Sequence, residues 1–142
     1  LYPPTMSHPW DDMVKRMAIA LPVGTIKGIL WHQGEGDSQP DQARAYEPKL
    51  HDLVKRLREL AKAPEVPFIA GQMGKFDGVH WTPEKIFVDR AHQSLPQHVP
   101  RTAFVSAEGL KHKGENVHFD TPSFREMGKR YAEAYLKMTV KK

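Results

Sequence analysis

Thr25-Ile26-Lys27-Gly28-Ile29-Leu30-Trp31 runs directly into His32-Gln33-Gly34-Glu35-Gly36-Asp37. The first seven residues form a short apolar run between Gly24 and a polar glycine turn. That is the pattern of a strand buried over most of its length. The pattern recurs at 66–72, V-P-F-I-A-G-Q, where Pro67 is tolerable near the strand's beginning. It recurs again at 102–106, T-A-F-V-S. Helical periodicity fills the intervals. Trp10, Met13, Met17 and Ile19 predict a helix over 9–21, stopped by Pro22 and Gly24. Tyr46, Leu50, Leu53, Leu57 and Leu60 make one stripe within 38–62, with Pro48 kinking the helix or resetting its start. Thr82-Pro83 and Thr121-Pro122 each pair a capping hydroxyl with a first-turn proline. Ile86, Val88, Ala91 and Leu95 form the apolar face after the first pair, and Pro96 or Pro100 closes that helix. Phe124, Met127, Tyr131, Ala134, Tyr135 and Met138 form the face after the second.

Strands alternating with helices of this length indicate βαβ units and a parallel sheet in three α/β/α layers. The 142 residues suit one domain. A three-stranded parallel sheet leaves both edges open, so further strands are expected from an N-terminal segment of the same domain ahead of Leu1. The alternative is that the chain folds alone as a small three-layer unit.

Composition narrows the function classes. With 39% hydrophobic and 27% charged residues, a packed core is expected. No apolar run approaches a bilayer span, so no membrane role is expected. Cysteine is absent, which removes disulfides and thiolate metal sites. No leader pattern follows Leu1; we expect a secreted or periplasmic protein whose signal would lie upstream. The net charge of +4 is scattered: Lys55, Arg56, Arg58 and Lys62 on one helix, Lys111 and Lys113 in a loop, Lys141 and Lys142 at the end. These read as solvated faces and a tail, and no nucleic-acid partner is expected without a basic patch interleaved with aromatics.

Ligands of open α/β sheets bind at the carboxyl ends of the strands, which directs attention to three loops. In the first, Gln33 offers an amide donor that could face a developing oxyanion, and Glu35 could orient a histidine or hold a hydroxyl. The bland reading is a polar turn in which Asp37 or Ser38 caps the next helix. In the second, Gly71-Gln72-Met73-Gly74 is a pocket wall or a plain turn. The third is Lys113-Gly114-Glu115-Asn116-Val117-His118-Phe119-Asp120. There a carboxylate three residues before a histidine can accept its Nδ1–H and leave Nε2 as a base.

Together these blocks resemble the carbohydrate acetylesterases of the SGNH hydrolase superfamily: carbohydrate esterase family 6 and the sialate O-acetylesterase-like domain. The resemblance rests on Trp31-His32-Gln33-Gly34-Glu35, on Glu115-Asn116-Val117-His118-Phe119, and on the helix opening at Asp120-Thr121-Pro122. It implies a flavodoxin-like α/β/α fold, an acetylated carbohydrate as substrate, and Ser-His-acid catalysis without metal or cofactor. It implies His118 as base, with Glu35 or Glu115 as its carboxylate and Glu35 preferred. Gln33 and Gly34 would stabilise the oxyanion, and Trp31, His32 and Gln72 would shape the pocket. The family's Gly-Gln-Ser-Asn block is not among these residues: Ser7, Ser38, Ser94, Ser106 and Ser123 all stand in other contexts. The nucleophile is therefore expected outside the 142 residues. A carbohydrate-binding or interaction module that kept the fold without the activity is the competing reading.

Overall fold

The computed structural model describes residues 5–140, so the Lys141-Lys142 tail lies outside the described residues. Its order is α1 (Pro9–Ala20), β1 (Ile29–Trp31), α2 (Pro40–Ala43), α3 (Tyr46–Ala61), β2 (Phe68–Gly71), α4 (Pro83–His98), β3 (Thr102–Val105) and α5 (Thr121–Thr139). The three strands form one parallel sheet in the order β1-β2-β3. Leu30, Ile69 and Ala103 lie in register across it.

Side chains alternate across the sheet, and each face meets a different layer. Phe68 and Ala70 point toward α3 and α4, where Leu50, Val54, Leu57, Val88 and Leu95 close a core that Trp10 and Met13 of α1 flank. Ile69 and Val105 point the other way, toward Met127 and Tyr131 of α5. The α/β/α layering expected from the sequence is present. β2 is fully buried, as a central parallel strand should be.

The differences from expectation have local causes. Among the described residues β1 pairs only with β2, and the ladder covers 29–31 and not 25–31; Leu30 is 59% exposed. The helix expected over 38–62 is two helices, because Pro48 falls in the first turn of α3, where a proline needs no N–H partner. Val54 and Ala61 are buried where Leu53 and Leu60 were expected, and Leu53 packs at the margin of the core. α4 runs through Pro96 to His98. Ile19, Ile86 and Phe124 are exposed and do not belong to the buried faces. Arg58 is a correction to the solvated-face reading. It is buried, donating from Nε to the Val66 carbonyl at 3.1 Å and from Nη2 to the Arg101 carbonyl at 2.8 Å, so it ties α3 to the base of the sheet.

Candidate active site

The loop after β1 divides its side chains between the two faces of the sheet. Trp31 and Gln33 turn toward α3. The Trp31 ring packs on Phe68 at 6.3 Å, and its Nε1 donates to Tyr46 Oη at 3.3 Å. Gln33 Nε2 donates to Asp37 Oδ2 at 2.6 Å. Tyr46 Oη lies 2.9 Å from Gln33 Oε1 and 2.9 Å from His92 Nε2. Asp37 and Ser38 do not cap α2: its N-cap is Gln39, without a side-chain bond. Asp37 serves Gln33 instead, and Ser38 Oγ donates to the Gly34 carbonyl. Gly34 is fixed by two requirements. Its φ is +149°, and a Cβ there would meet Met73 Sδ at 2.7 Å and Val88 Cγ1 at 2.8 Å.

His32 turns toward α5. Tyr131 Oη donates to the Trp31 carbonyl at 2.7 Å and lies 3.3 Å from His32 Nδ1. The His32 ring meets Phe119 edge-on at 5.6 Å. Although His32 keeps a solvent-exposed side, crowding of its ring lowers its pKa, while the Glu35 carboxylate pulls the other way. Gly71 makes this junction possible: a Cβ there would fall 1.9 Å from Tyr131 Oη and 2.8 Å from His32 Nδ1.

His118 sits at the base of a loop closed by antiparallel pairing of His112 with Phe119, and its carbonyl accepts from Lys113 N at 3.0 Å. Asn116, at φ 63°, turns the chain so that the Glu115 carboxylate accepts from His118 Nδ1. This bond, followed by the charges of His118 and Lys113, holds the Glu115 carboxyl below the usual carboxylate range. Glu35 is placed elsewhere, near His32 and Lys85. The preference for Glu35 as the carboxylate serving His118 is therefore not what the geometry brings together. The reason is local: a three-residue turn sets Glu115 against the ring, whereas Glu35 belongs to a different strand end. Among the described residues none of the five serines hydrogen-bonds His118. Ser38, Ser94 and Ser106 donate to other acceptors, Ser123 accepts from the Lys111 amide, and Ser7 pairs with Thr5.

Gln72 is buried as a strut. Its Oε1 accepts from Ala107 N at 2.9 Å and Ser106 Oγ at 3.2 Å, and its Nε2 donates to Asp89 at 3.2 Å. With Phe76, Trp81, Asp89 and Gln93 it lines a cleft of about 840 Å³. Burial raises the pKa of Asp89, against the hydrogen bonds from Gln72 and Gln93. Asp89, His92, Tyr46 and Tyr131 were not singled out as site residues. The available signal was polarity within an apolar stripe: His92 follows Val88 by four residues and precedes Leu95 by three. Among the described residues no cluster of three or more His, Cys, Asp or Glu is placed to hold a metal.

A three-layer α/β fold that carries a carboxylate-paired histidine and a glutamine loop on the carboxyl-end side of its parallel strands places these groups where open α/β sheets bind ligands. The family described as carbohydrate esterase, sialic acid-specific acetylesterase matches residues 3–137, and the chain belongs to that family. Among curated relatives, a probable carbohydrate esterase of Arabidopsis thaliana is 30% identical over 133 residues, covering 92% of this chain and 48% of the relative. The crystal structure of that plant protein superposes with a TM-score of 0.78 over 93% of this chain and 53% of its own. A novel carbohydrate acetylesterase from Xanthomonas citri shares the fold at 21% identity, with a TM-score of 0.66 over 79% of this chain and 26% of that one. The chain thus spans about half the length of the plant relative.

Proposed function

We propose that this chain carries the histidine side of a serine esterase site, of the SGNH type, that removes O-acetyl groups from sugars. The observation that carries the reading is the Glu115–His118 pair. Glu115 accepts from Nδ1, so Nε2 holds the lone pair, on a side chain that is 66% exposed. A serine from a Gly-Gln-Ser-Asn-type block outside these residues would attack the acetyl carbonyl while Nε2 takes its proton. The tetrahedral oxyanion would be met by the Gln33 amide and backbone N–H groups of the Gly34 turn. Its collapse breaks the bond to the sugar oxygen, which takes the proton back from His118. Water, deprotonated by the same nitrogen, then releases acetate from the serine. Membership in a carbohydrate esterase family supports hydrolysis of acetyl esters; the sugar itself is the proposal.

The test is hydrolysis of an activated acetyl ester and of an acetylated sugar. The 142 residues alone should turn over little. A longer chain that includes the serine block should be active, and His118→Ala within it should lose about 10²–10⁴-fold. Full activity in the 142 residues would place the nucleophile among them and overturn the scheme.

A further inference from the structure

The Gln33 amide can be oriented two ways and the proton of neutral His92 can sit on either nitrogen; their neighbours decide both. Gln33 Nε2 lies 2.6 Å from Asp37 Oδ2, so the flipped amide would press two acceptor oxygens together at that distance. With the nitrogen on Asp37, Gln33 Oε1 faces Tyr46 Oη at 2.9 Å and can only accept. Tyr46 has one proton, and of the two Gln33 acceptors within reach Oε1 at 2.9 Å is nearer than the carbonyl at 3.4 Å, so the proton goes to Gln33 Oε1. Its oxygen must then accept from Trp31 Nε1 at 3.3 Å and from His92 Nε2 at 2.9 Å. His92 is thereby the Nε2–H tautomer, with a bare Nδ1. Nδ1 is in fact buried without a partner, a place where an N–H would be stranded. Burial, seconded by the charge of His32, lowers the His92 pKa to about 4. That agrees with a ring whose second nitrogen has nothing to donate to.

We propose that His92 is a positioning residue that, through Tyr46, locks the Gln33 amide with its oxygen inward and one amide proton uncommitted for the reacting ester. The chain of bonds Asp37–Gln33–Tyr46–His92 is closed by donor and acceptor parity, so removing the last member releases the first. Without the His92 donor, Tyr46 has an empty lone pair and the hydroxyl is free to rotate away from Gln33. The inference rests on Gln33 acting as the oxyanion donor proposed above, but the lock itself exists without any reaction.

Two measurements separate the lock from the reaction. Long-range proton–nitrogen correlation spectra of the chain should show His92 protonated on Nε2 and bare on Nδ1 at neutral pH, and the Gln33 amide protons as two distinct, dispersed signals. His92→Leu should collapse those signals to exposed-amide positions. His92→Gln, whose amide can reach the place of Nε2, should restore them. In the esterase-active longer chain, His92→Leu should lower kcat about ten- to a hundredfold with KM little changed, and His92→Gln should recover most of the loss. A His92 protonated on Nδ1, or a kcat indifferent to His92→Leu in an active enzyme, overturns the proposal. If no form hydrolyses acetyl esters, the esterase reading fails while the spectra still decide whether the lock exists.

Discussion

His118 and Glu115 meet because the turn between them is short and left-handed at Asn116. This makes the choice of carboxylate testable residue by residue. Under the proposed scheme, in a longer chain that includes the serine block, Glu115→Gln should reduce turnover about tenfold or more, because the ring loses the charge that stabilises its imidazolium. Glu35→Gln should cost much less. Parallel kinetics on the two variants check this, and the reverse order would return the role to Glu35. His92 gives a second prediction at the same scale. Its folded pKa of about 4 is below the usual histidine value, so the unfolded chain binds the extra proton first as pH falls. Stability contributed by neutral His92 is complete above about pH 6.5 and is lost as pH drops toward 4. The loss between pH 7 and pH 5 should be about 2 kcal/mol. Urea unfolding at the two pH values should show it, and His92→Gln should flatten the difference.

Among the elements, α5 joins the histidine loop to the sheet. Asp120 caps it, accepting from Ser123 N at 2.8 Å, and the Ser123 side chain followed by this amide bond holds the Asp120 carboxyl below its ordinary pKa. Asp120→Ala should cost about 0.5–2 kcal/mol in an unfolding titration, since the cap is lost while Pro122 still favours the first turn. The helix starts at Thr82-Pro83 and Thr121-Pro122 were legible because caps and first-turn prolines are local chemistry, although the second helix is capped by the Asp120 carboxylate and not by the Thr121 hydroxyl. Strand positions were legible as apolar runs, and the Glu115–His118 pairing as a three-residue spacing. What the sequence hid was set by neighbours distant in the chain. The length of β1 depends on how many strands flank it. The burial of Arg58 depends on two backbone carbonyls at the foot of the sheet. His92 and Asp89 read as ordinary polar positions of a helix until α4 is laid against Tyr46 and Gln72.

At the scale of the whole molecule, the strand-end face is assembled from both layers of helices. The α3/α4 side supplies the Gln33 lock, and the α5 side supplies Tyr131, Phe119 and the His118 loop. Gly71 sits where the α5 side meets the sheet with no room for a methyl group. The Tyr131 hydroxyl reaches the Trp31 carbonyl across 100 positions of sequence. Such a contact has to wait for a long loop to close, whereas the helices and their nearest strand partners form over short separations. As the polypeptide is synthesised, β1, β2 and β3 are all available to pair before Tyr131 exists. The backbone behind His32 therefore acquires its hydroxyl brace last, and the machinery at the strand ends should be the final part of the protein to mature after folding begins.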